Sequence, residues 1–212
     1  RDDEAASGVT SIWVEAASGL NTMAYVPGAN GRLSPADVRA AAGAIAAADL
    51  LICQLEVPYE ATLEAMAVAR EVRADGARSR GPLVLLNPAP VPPTPVPEAL
   101  LAGADLLVAN EEEAAHFTGE PVETEAAAMT AARRLSERIG GPAIVTLGAR
   151  GAVLAEPGRD PRAYPAPAVR AVDTTGAGDA FVGCLATLLA EGRPLPEAVE
   201  RDRKSTRLNS SH

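Results

Sequence analysis

Residues 173–183, DTTGAGDAFVG, place a turn of small residues and a carboxylate at the start of an apolar helix. Gly176, Ala177 and Gly178 would expose backbone N–H groups at that helix start, where an anion such as phosphate binds well. Asp179 could simply interact with the helix dipole, but that role does not require glycines, which cost backbone entropy. The pattern therefore indicates an anion hole beside a general base. The base would take a proton from an alcohol while the amides hold the charge of a transferred phosphoryl group.

The residue types that are missing exclude several other chemistries. No lysine precedes residue 202, which excludes a Walker lysine, a protein-kinase lysine and a Schiff-base lysine within that segment. His116 is the only histidine there, no G-x-S-x-G motif accompanies it, and we predict that it faces solvent. Cys53 and Cys184 are too few for a zinc cluster and are predicted to be small buried hydrophobic residues. Chemistry must therefore rest on carboxylates, hydroxyls, amides and backbone.

Composition narrows the class of partner. The formal net charge of −9 argues against a nucleic-acid groove or an anionic membrane surface. No apolar run approaches the roughly 20 residues of a membrane span, and the start does not read as a signal peptide. Two cysteines are too few for a disulfide framework, so a cytoplasmic location is expected.

The last residues, DRKSTRLNSSH (202–212), break off a predicted helix, PLPEAVER, and contain the only lysine. This string resembles the translation of a sequencing-library adapter, and the alternative is a genuine polar tail. We expect residues 1–201 to be an internal fragment of a longer protein and residues 202–212 not to belong to its fold.

The elements that must position these groups follow from the hydrophobic pattern. Ser34, Pro35 and Asp37 carry the signals of a helix start. The predicted strands are 9–14, 22–26, 50–55, 83–86, 105–109 and 143–147. Further predicted helices are 59–75, 111–117 and 124–139, with a proline-rich loop at 88–97, and another has Asp179 in its first turn and runs to about Ala190. Continuous apolar strands that alternate with helices predict an α/β fold with a doubly wound, Rossmann-like parallel sheet flanked by helices.

Polar residues follow four of these strands. In an open parallel sheet the carboxyl ends share one edge, which is where such folds bind ligands. Each residue alone is equally consistent with a helix cap, but together they predict a site. The residues are Glu56, Asn87, Asn110, and Thr146 with Gly148.

Several motifs together resemble the ribokinase (PfkB-type) carbohydrate kinases. VDTTGAGDAF is similar to the family's C-terminal signature and is strongly specific. VPGAN, QLEVP, LNPAP, NEEEA and VTLGARG are weak singly but fall in the family's order. The resemblance covers about residues 9–201, and VPGAN and QLE favour the ribokinase branch. It implies a partial β-lid hairpin and hinge (1–31) and an α/β nucleotide- and sugar-binding domain (32–201) that is truncated at both ends, which the adapter-like tail (202–212) follows.

The resemblance also implies an activity. It is the ATP-dependent phosphorylation of D-ribose at O5, which gives ribose 5-phosphate. The 212-residue chain itself is expected to be inactive, because residues that form part of the family's sugar pocket are missing from it. The alternatives are a sibling kinase for fructose, a 2-keto-3-deoxy sugar acid or a nucleoside, or a non-catalytic relative that senses a sugar or nucleotide. Val182, where many relatives have asparagine, weakens the choice of ribose.

Site roles are implied by the same resemblance. Asp179 would be the base that contacts the sugar hydroxyl, next to the anion hole of Gly176, Ala177 and Gly178. Asn110 and Glu113 would orient the phosphates of ATP and Mg²⁺, partly through water, or form only a capping box. Thr146, Gly148 and Gly151 would line the ATP site, or form only a strand-to-hairpin turn. Glu56 would contact the sugar, or only cap a helix.

Two further partners are implied. Asp173 would give a side-chain oxygen and Thr175 a carbonyl to K⁺, a hard cation that prefers oxygen, although Asp173 could instead only cap the turn. The 9–26 hairpin resembles part of a lid that covers the sugar, and lids of this family can pair subunits into a homodimer. The alternative is a plain edge hairpin.

Overall fold

The computed structural model describes residues 2–14, 21–75, 81–167 and 176–205. The strands are β1 (Val9–Val14), β2 (Asn21–Val26), β3 (Leu50–Cys53), β4 (Leu83–Leu86), β5 (Leu106–Asn110), β6 (Ala143–Thr146), β7 (Ala152–Ala155) and β8 (Arg162–Tyr164). The helices are α1 (Pro35–Ala40), α2 (Ala42–Ala47), α3 (Tyr59–Asp75), α4 (Glu98–Ala102), α5 (Glu111–Thr118), α6 (Glu125–Ile139), α7 (Ala177–Ala190) and α8 (Leu195–Ser205). Two 3₁₀ turns cover Gly28–Arg32 and Gly148–Arg150.

The main sheet has six strands in the order β3-β4-β5-β6-β7-β8. The first four are parallel, as predicted, because a helix crosses over between successive strands. β7 and β8 are antiparallel and were not predicted. The turn of 148–151 is too short for a crossover, so β7 must return alongside β6. The α/β prediction is therefore confirmed, with an antiparallel edge added.

Helices cover both faces of this sheet, because alternate side chains of each strand point to opposite sides. On one face Leu86, Leu107 and Val145 pack with Leu135 of α6. On the other, Leu85, Val108, Ile144 and Leu154 pack with Leu185 of α7 and Val199 of α8. This two-sided burial explains why the strands read as continuous apolar runs.

The helices differ from the predictions in three places. Ser34 and Asp37 form the predicted capping box, but the helix they start is interrupted at Ala41, which separates α1 from α2. The short helix α4 was not predicted. α8 continues through Ser205, past the predicted break at 201, since Asp-Arg-Lys contains no helix-breaking residue.

β1 and β2 form a separate antiparallel sheet with Ile12 opposite Met23 and Trp13 opposite Thr22. Its large side chains are exposed; Trp13 and Met23 keep 60% and 61% of their surface accessible to solvent. The predicted hairpin is therefore confirmed as a small sheet apart from the main one. Within the described part of the chain, every helix is too short or too polar to cross a membrane.

Candidate functional site

β5 and β6 end side by side at one edge of the main sheet. Asn110 lies opposite Thr146 in the parallel register, and the Thr146 hydroxyl donates to the carbonyl oxygen of Ala109 at 3.4 Å. Helix α5 starts directly after Asn110, and a 3₁₀ turn starts just after Thr146. Two predicted site residues from distant parts of the sequence are thereby neighbours.

Asn110 and Glu113 form a reciprocal cap at the start of α5. The Asn110 side-chain oxygen accepts from the Glu113 backbone N–H at 2.8 Å. The Glu113 carboxylate accepts from the backbone N–H of Asn110 at 2.8 Å and from its side-chain amide at 2.9 Å. The capping-box interpretation is therefore confirmed, and the role of the pair toward ATP stays a prediction.

Burial sets the electrostatics of this pair. Glu113 is only 3% exposed. Burial raises the pKa of its carboxyl above the usual value; the hydrogen bond from Asn110 acts in the opposite direction, and the nearby charge of Glu112 adds to the rise. Each carboxylate oxygen accepts one hydrogen bond from Asn110, which holds the Glu113 side chain in the cap.

The turn after β6 depends on two glycines. Gly148 has φ +54° and Gly151 has φ +104°, conformations that favour glycine. A Cβ on Gly151 would overlap the Tyr164 carbonyl oxygen, whereas one on Gly148 would meet only open space. The backbone N–H of Leu147 donates to the Gly151 carbonyl oxygen at 2.7 Å and closes the turn that leads into β7. The strand-to-hairpin interpretation is confirmed, and nucleotide contact stays a prediction.

One residue of this region was not singled out in the sequence analysis. Arg150 forms an ion pair with Glu111, the first residue of α5, and donates to the Glu123 carbonyl oxygen at 3.1 Å. The sequence separation of 39 residues between Arg150 and Glu111 hides this pair. The one sequence feature that could have pointed to Arg150 is its place as a cation in the glycine-containing turn after β6.

The residues predicted to form the anion hole and to act as the base lie at the start of α7, and both roles stay predictions. Gly176 is the N-cap with φ +72°, and no side chain of the described residues caps this helix. Asp179 lies in the first turn and is exposed. A Cβ on Gly178 would meet open space, which leaves the backbone of this turn accessible. Asp173 and Thr175, the predicted potassium ligands, lie outside the described residues.

The edge near β3 joins the main sheet to the small one. Glu56 is exposed, and its carbonyl oxygen accepts from the Tyr25 hydroxyl of β2 at 3.1 Å. Asn87 is 8% exposed, and its side-chain amide donates to the Val108 carbonyl oxygen at 2.9 Å. Asn87 therefore ties β4 to β5, whereas Glu56 stands where the two sheets meet.

The remaining predictions concern His116 and the cysteines. His116 is exposed and stacks edge-on against Phe117 with ring centroids 5.1 Å apart. Cys53 is buried, and burial raises the pKa of its thiol to about 12, so it is an unreactive core residue. Cys184 is only half-buried, because its position on α7 lies at the margin of the core. In the described ranges no three acidic, His or Cys side chains are grouped as a metal site.

Comparisons with known proteins agree with this architecture. The sequence pattern of the pfkB family of carbohydrate kinases matches residues 1–201. The ribokinase of Mus musculus is 41% identical over 190 residues, which are 88% of this chain and 55% of that protein. The deoxyribokinase of Salmonella typhi is 36% identical over 196 residues, which are 92% of this chain and 60% of that protein.

Among solved structures, the Arabidopsis thaliana ribokinase complexed with ribose and ATP superposes with a TM-score of 0.80 at 25% identity. The superposition covers 99% of this chain and 64% of that structure. The chain thus spans little more than half the length of the mouse relative.

Proposed function

The chain belongs to the pfkB family of carbohydrate kinases, and we propose from this premise that its protein transfers the γ-phosphoryl group of ATP to D-ribose O5. The observation that carries the proposal is the start of α7. A positive-φ glycine cap and an accessible glycine-containing turn leave backbone N–H groups beside the exposed Asp179. An anion hole next to a base is what phosphoryl transfer to an alcohol needs.

In the proposed reaction Asp179 accepts the proton of the sugar hydroxyl, whose oxygen then attacks the γ-phosphorus. The bond from that phosphorus to the bridging oxygen of ADP breaks, and ADP leaves with its electron pair. The amides of Gly176, Ala177 and Gly178 would stabilise the charge on the transferred group. Little covalent chemistry is asked of the protein, so positioning and electrostatics supply most of the rate.

The nucleotide enters as its magnesium complex. We assign its phosphates to the edge formed by β5 and β6, where the Asn110 side chain is exposed at the start of α5. Thr146, Gly148 and Gly151 would form the wall of the same site. Open space over Gly148 supports this assignment, since a ligand can approach that backbone closely.

The sugar would bind between the two sheets. Glu56 lies at their junction and would accept hydrogen bonds from sugar hydroxyls, with residues 1–31 as lid and hinge over the domain of 32–201. By resemblance, Asp173 and Thr175 would hold a potassium ion near the anion hole. The exposed apolar side chains of β1 and β2, among them Ile12, Trp13 and Met23, favour pairing of two lids in a homodimer.

We propose ribose as the acceptor because relatives of this chain are ribokinases. Since another relative is a deoxyribokinase, 2-deoxyribose is the main alternative acceptor. The two sugars differ only in the hydroxyl at C2. Val182 is 5% exposed and packs in the core under α7. The presence of valine rather than asparagine at position 182 therefore affects core packing more directly than it affects a contact with the sugar.

A sugar panel tests the proposal. Two samples would be compared: the 212-residue chain and the full-length protein that its gene encodes. Each would be incubated with MgATP, K⁺ and one labelled acceptor: ribose, 2-deoxyribose, fructose, 2-keto-3-deoxygluconate or adenosine. The products would be identified by mass spectrometry. We expect the full-length protein to produce ribose 5-phosphate and the 212-residue chain to produce none. Nucleotide-dependent sugar binding without any phosphorylated product would instead favour a sensing relative.

A further inference from the structure

Arg150 joins three segments of the candidate nucleotide site. It is the last residue of the 3₁₀ turn between Gly148 and Gly151. Its guanidinium pairs with the carboxylate of Glu111 at the start of α5 and donates to the Glu123 carbonyl oxygen at 3.1 Å. Glu123 directly precedes the cap of α6. A single side chain therefore holds the glycine turn against α5 and against the loop between α5 and α6.

The charges around this contact make its role specific. The first turn of α5 contains three successive glutamates, Glu111, Glu112 and Glu113. Glu113 is buried in its cap with Asn110, whereas Glu111 lies on the side that faces the glycine turn. An unpaired carboxylate there would repel the phosphates of a nucleotide, since like charges at short range raise the free energy of the complex. Arg150 cancels that charge.

We propose that Arg150 is a positioning residue for the nucleotide: it holds the Gly148–Gly151 turn through the Glu123 carbonyl oxygen, and its charge neutralises Glu111 beside the phosphates. This inference rests on the proposed function, because it places the phosphates at the same edge. Arg150 need not touch the reacting atoms, and it acts through Glu111 and the turn.

The size of the effect follows from exposure. The side chains of Arg150 and Glu111 keep 44% and 38% of their surface exposed. Exposed ion pairs are weakened by solvent, so loss of Arg150 should weaken MgADP binding by about three- to fivefold. Added salt should reduce that ratio, because it screens the freed carboxylate.

The experiment measures MgADP affinity of the 212-residue chain by calorimetry at low and high salt. The variants are Arg150→Ala, Arg150→Gln, Glu111→Gln, and Arg150→Ala combined with Glu111→Gln. Arg159→Ala is the matched control, since Arg159 also pairs with a glutamate, Glu156, but at the far end of β7. Arg150→Gln serves if Arg150→Ala does not fold, because it keeps a donor for Glu123 without the charge.

Each outcome supports or overturns the inference. Weaker binding by Arg150→Ala or Arg150→Gln, partial recovery in the double variant, and undiminished binding by Glu111→Gln would support it. A merely structural ion pair would lose affinity in Glu111→Gln as well, which overturns it. Unchanged binding by Arg150→Ala overturns the inference while the proposed function stands. Failure of the unmodified chain to bind MgADP overturns the nucleotide assignment itself, and the inference with it.

Discussion

The two halves of the candidate site are built in opposite ways. At the ends of β5 and β6, side chains hold one another: Asn110 and Glu113 exchange three hydrogen bonds, and Arg150 links the adjoining turn to α5. At the start of α7, the structure rests on a positive-φ glycine and on the burial of Val182 one turn later. The side chains of the first region are held by one another, whereas the second region leaves the carboxylate of Asp179 exposed to a ligand.

The comparison predicts that changes at α7 impair chemistry and that changes at the strand ends impair stability. Removing a catalytic group should lower the turnover rate strongly and change the free energy of unfolding very little. A buried cap should show the reverse. Four experiments address this contrast.

The largest effect is expected for Asp179→Asn in the active form of the protein. Asparagine cannot accept the proton, so kcat should fall by about 10²- to 10⁴-fold while nucleotide affinity stays nearly unchanged. Steady-state kinetics with ribose measures the first quantity and calorimetry the second. Asp160→Asn is the control, because Asp160 is fully exposed on the turn between β7 and β8. Equal turnover in the two variants would remove Asp179 from the mechanism.

The next effect separates two glycines of one turn. Gly151→Ala should lower the free energy of unfolding by roughly 3 kcal/mol or more, because the new Cβ overlaps the Tyr164 carbonyl in a strained conformation. Gly148→Ala should cost only about 1–2 kcal/mol, since it adds backbone strain in open space. Urea unfolding of the 212-residue chain measures both. Equal losses of unfolding free energy in the two variants would mean that the contact of a new Cβ with the Tyr164 carbonyl does not distinguish Gly151 from Gly148.

A smaller effect is expected from the cap of α5. Asn110→Ala removes the acceptor for the Glu113 N–H and should cost about 1–2 kcal/mol of unfolding free energy. Thr124→Ala removes the exposed cap of α6, where the hydroxyl accepts from the Ala127 N–H at 3.1 Å. It should cost less, because no buried carboxylate depends on it. A larger loss of stability at Thr124 than at Asn110 would contradict the importance of the Asn110–Glu113 cap.

The smallest effect is a pH dependence. The pKa of Glu113 is raised in the folded chain, so the folded state retains a proton that the unfolded state loses. Stability from this group is therefore fully present below the usual value of 4.5 and declines as pH rises through the folded pKa. The stability of the unmodified chain relative to Glu113→Gln should fall over that window. A relative stability that grows with pH would show that the hydrogen bonds from Asn110 outweigh burial.

The strand-end region illustrates how far local sequence reaches. Asn110 and Glu113 are three residues apart, so their cap could be predicted from residue types alone. The pair of Arg150 and Glu111 could not, because only the parallel neighbours β5 and β6 bring those segments together. β7 and β8 were missed for a related reason: segments as short as AVLA and RAY do not reveal whether they pair, or in which direction.

Local signals were sufficient wherever contacts are short in sequence. The periodicity of 59–75 and 124–139, the cap at Ser34, the glycine turn before Asp179 and the alternation of strands with helices all arise from neighbouring residues. Tertiary structure alone decided the strand order, the break at Ala41, the burial that shifts the pKa of Glu113, and the contact from Tyr25 to Glu56. These depend on which surfaces meet, because burial and charge act between elements that the chain order does not place side by side.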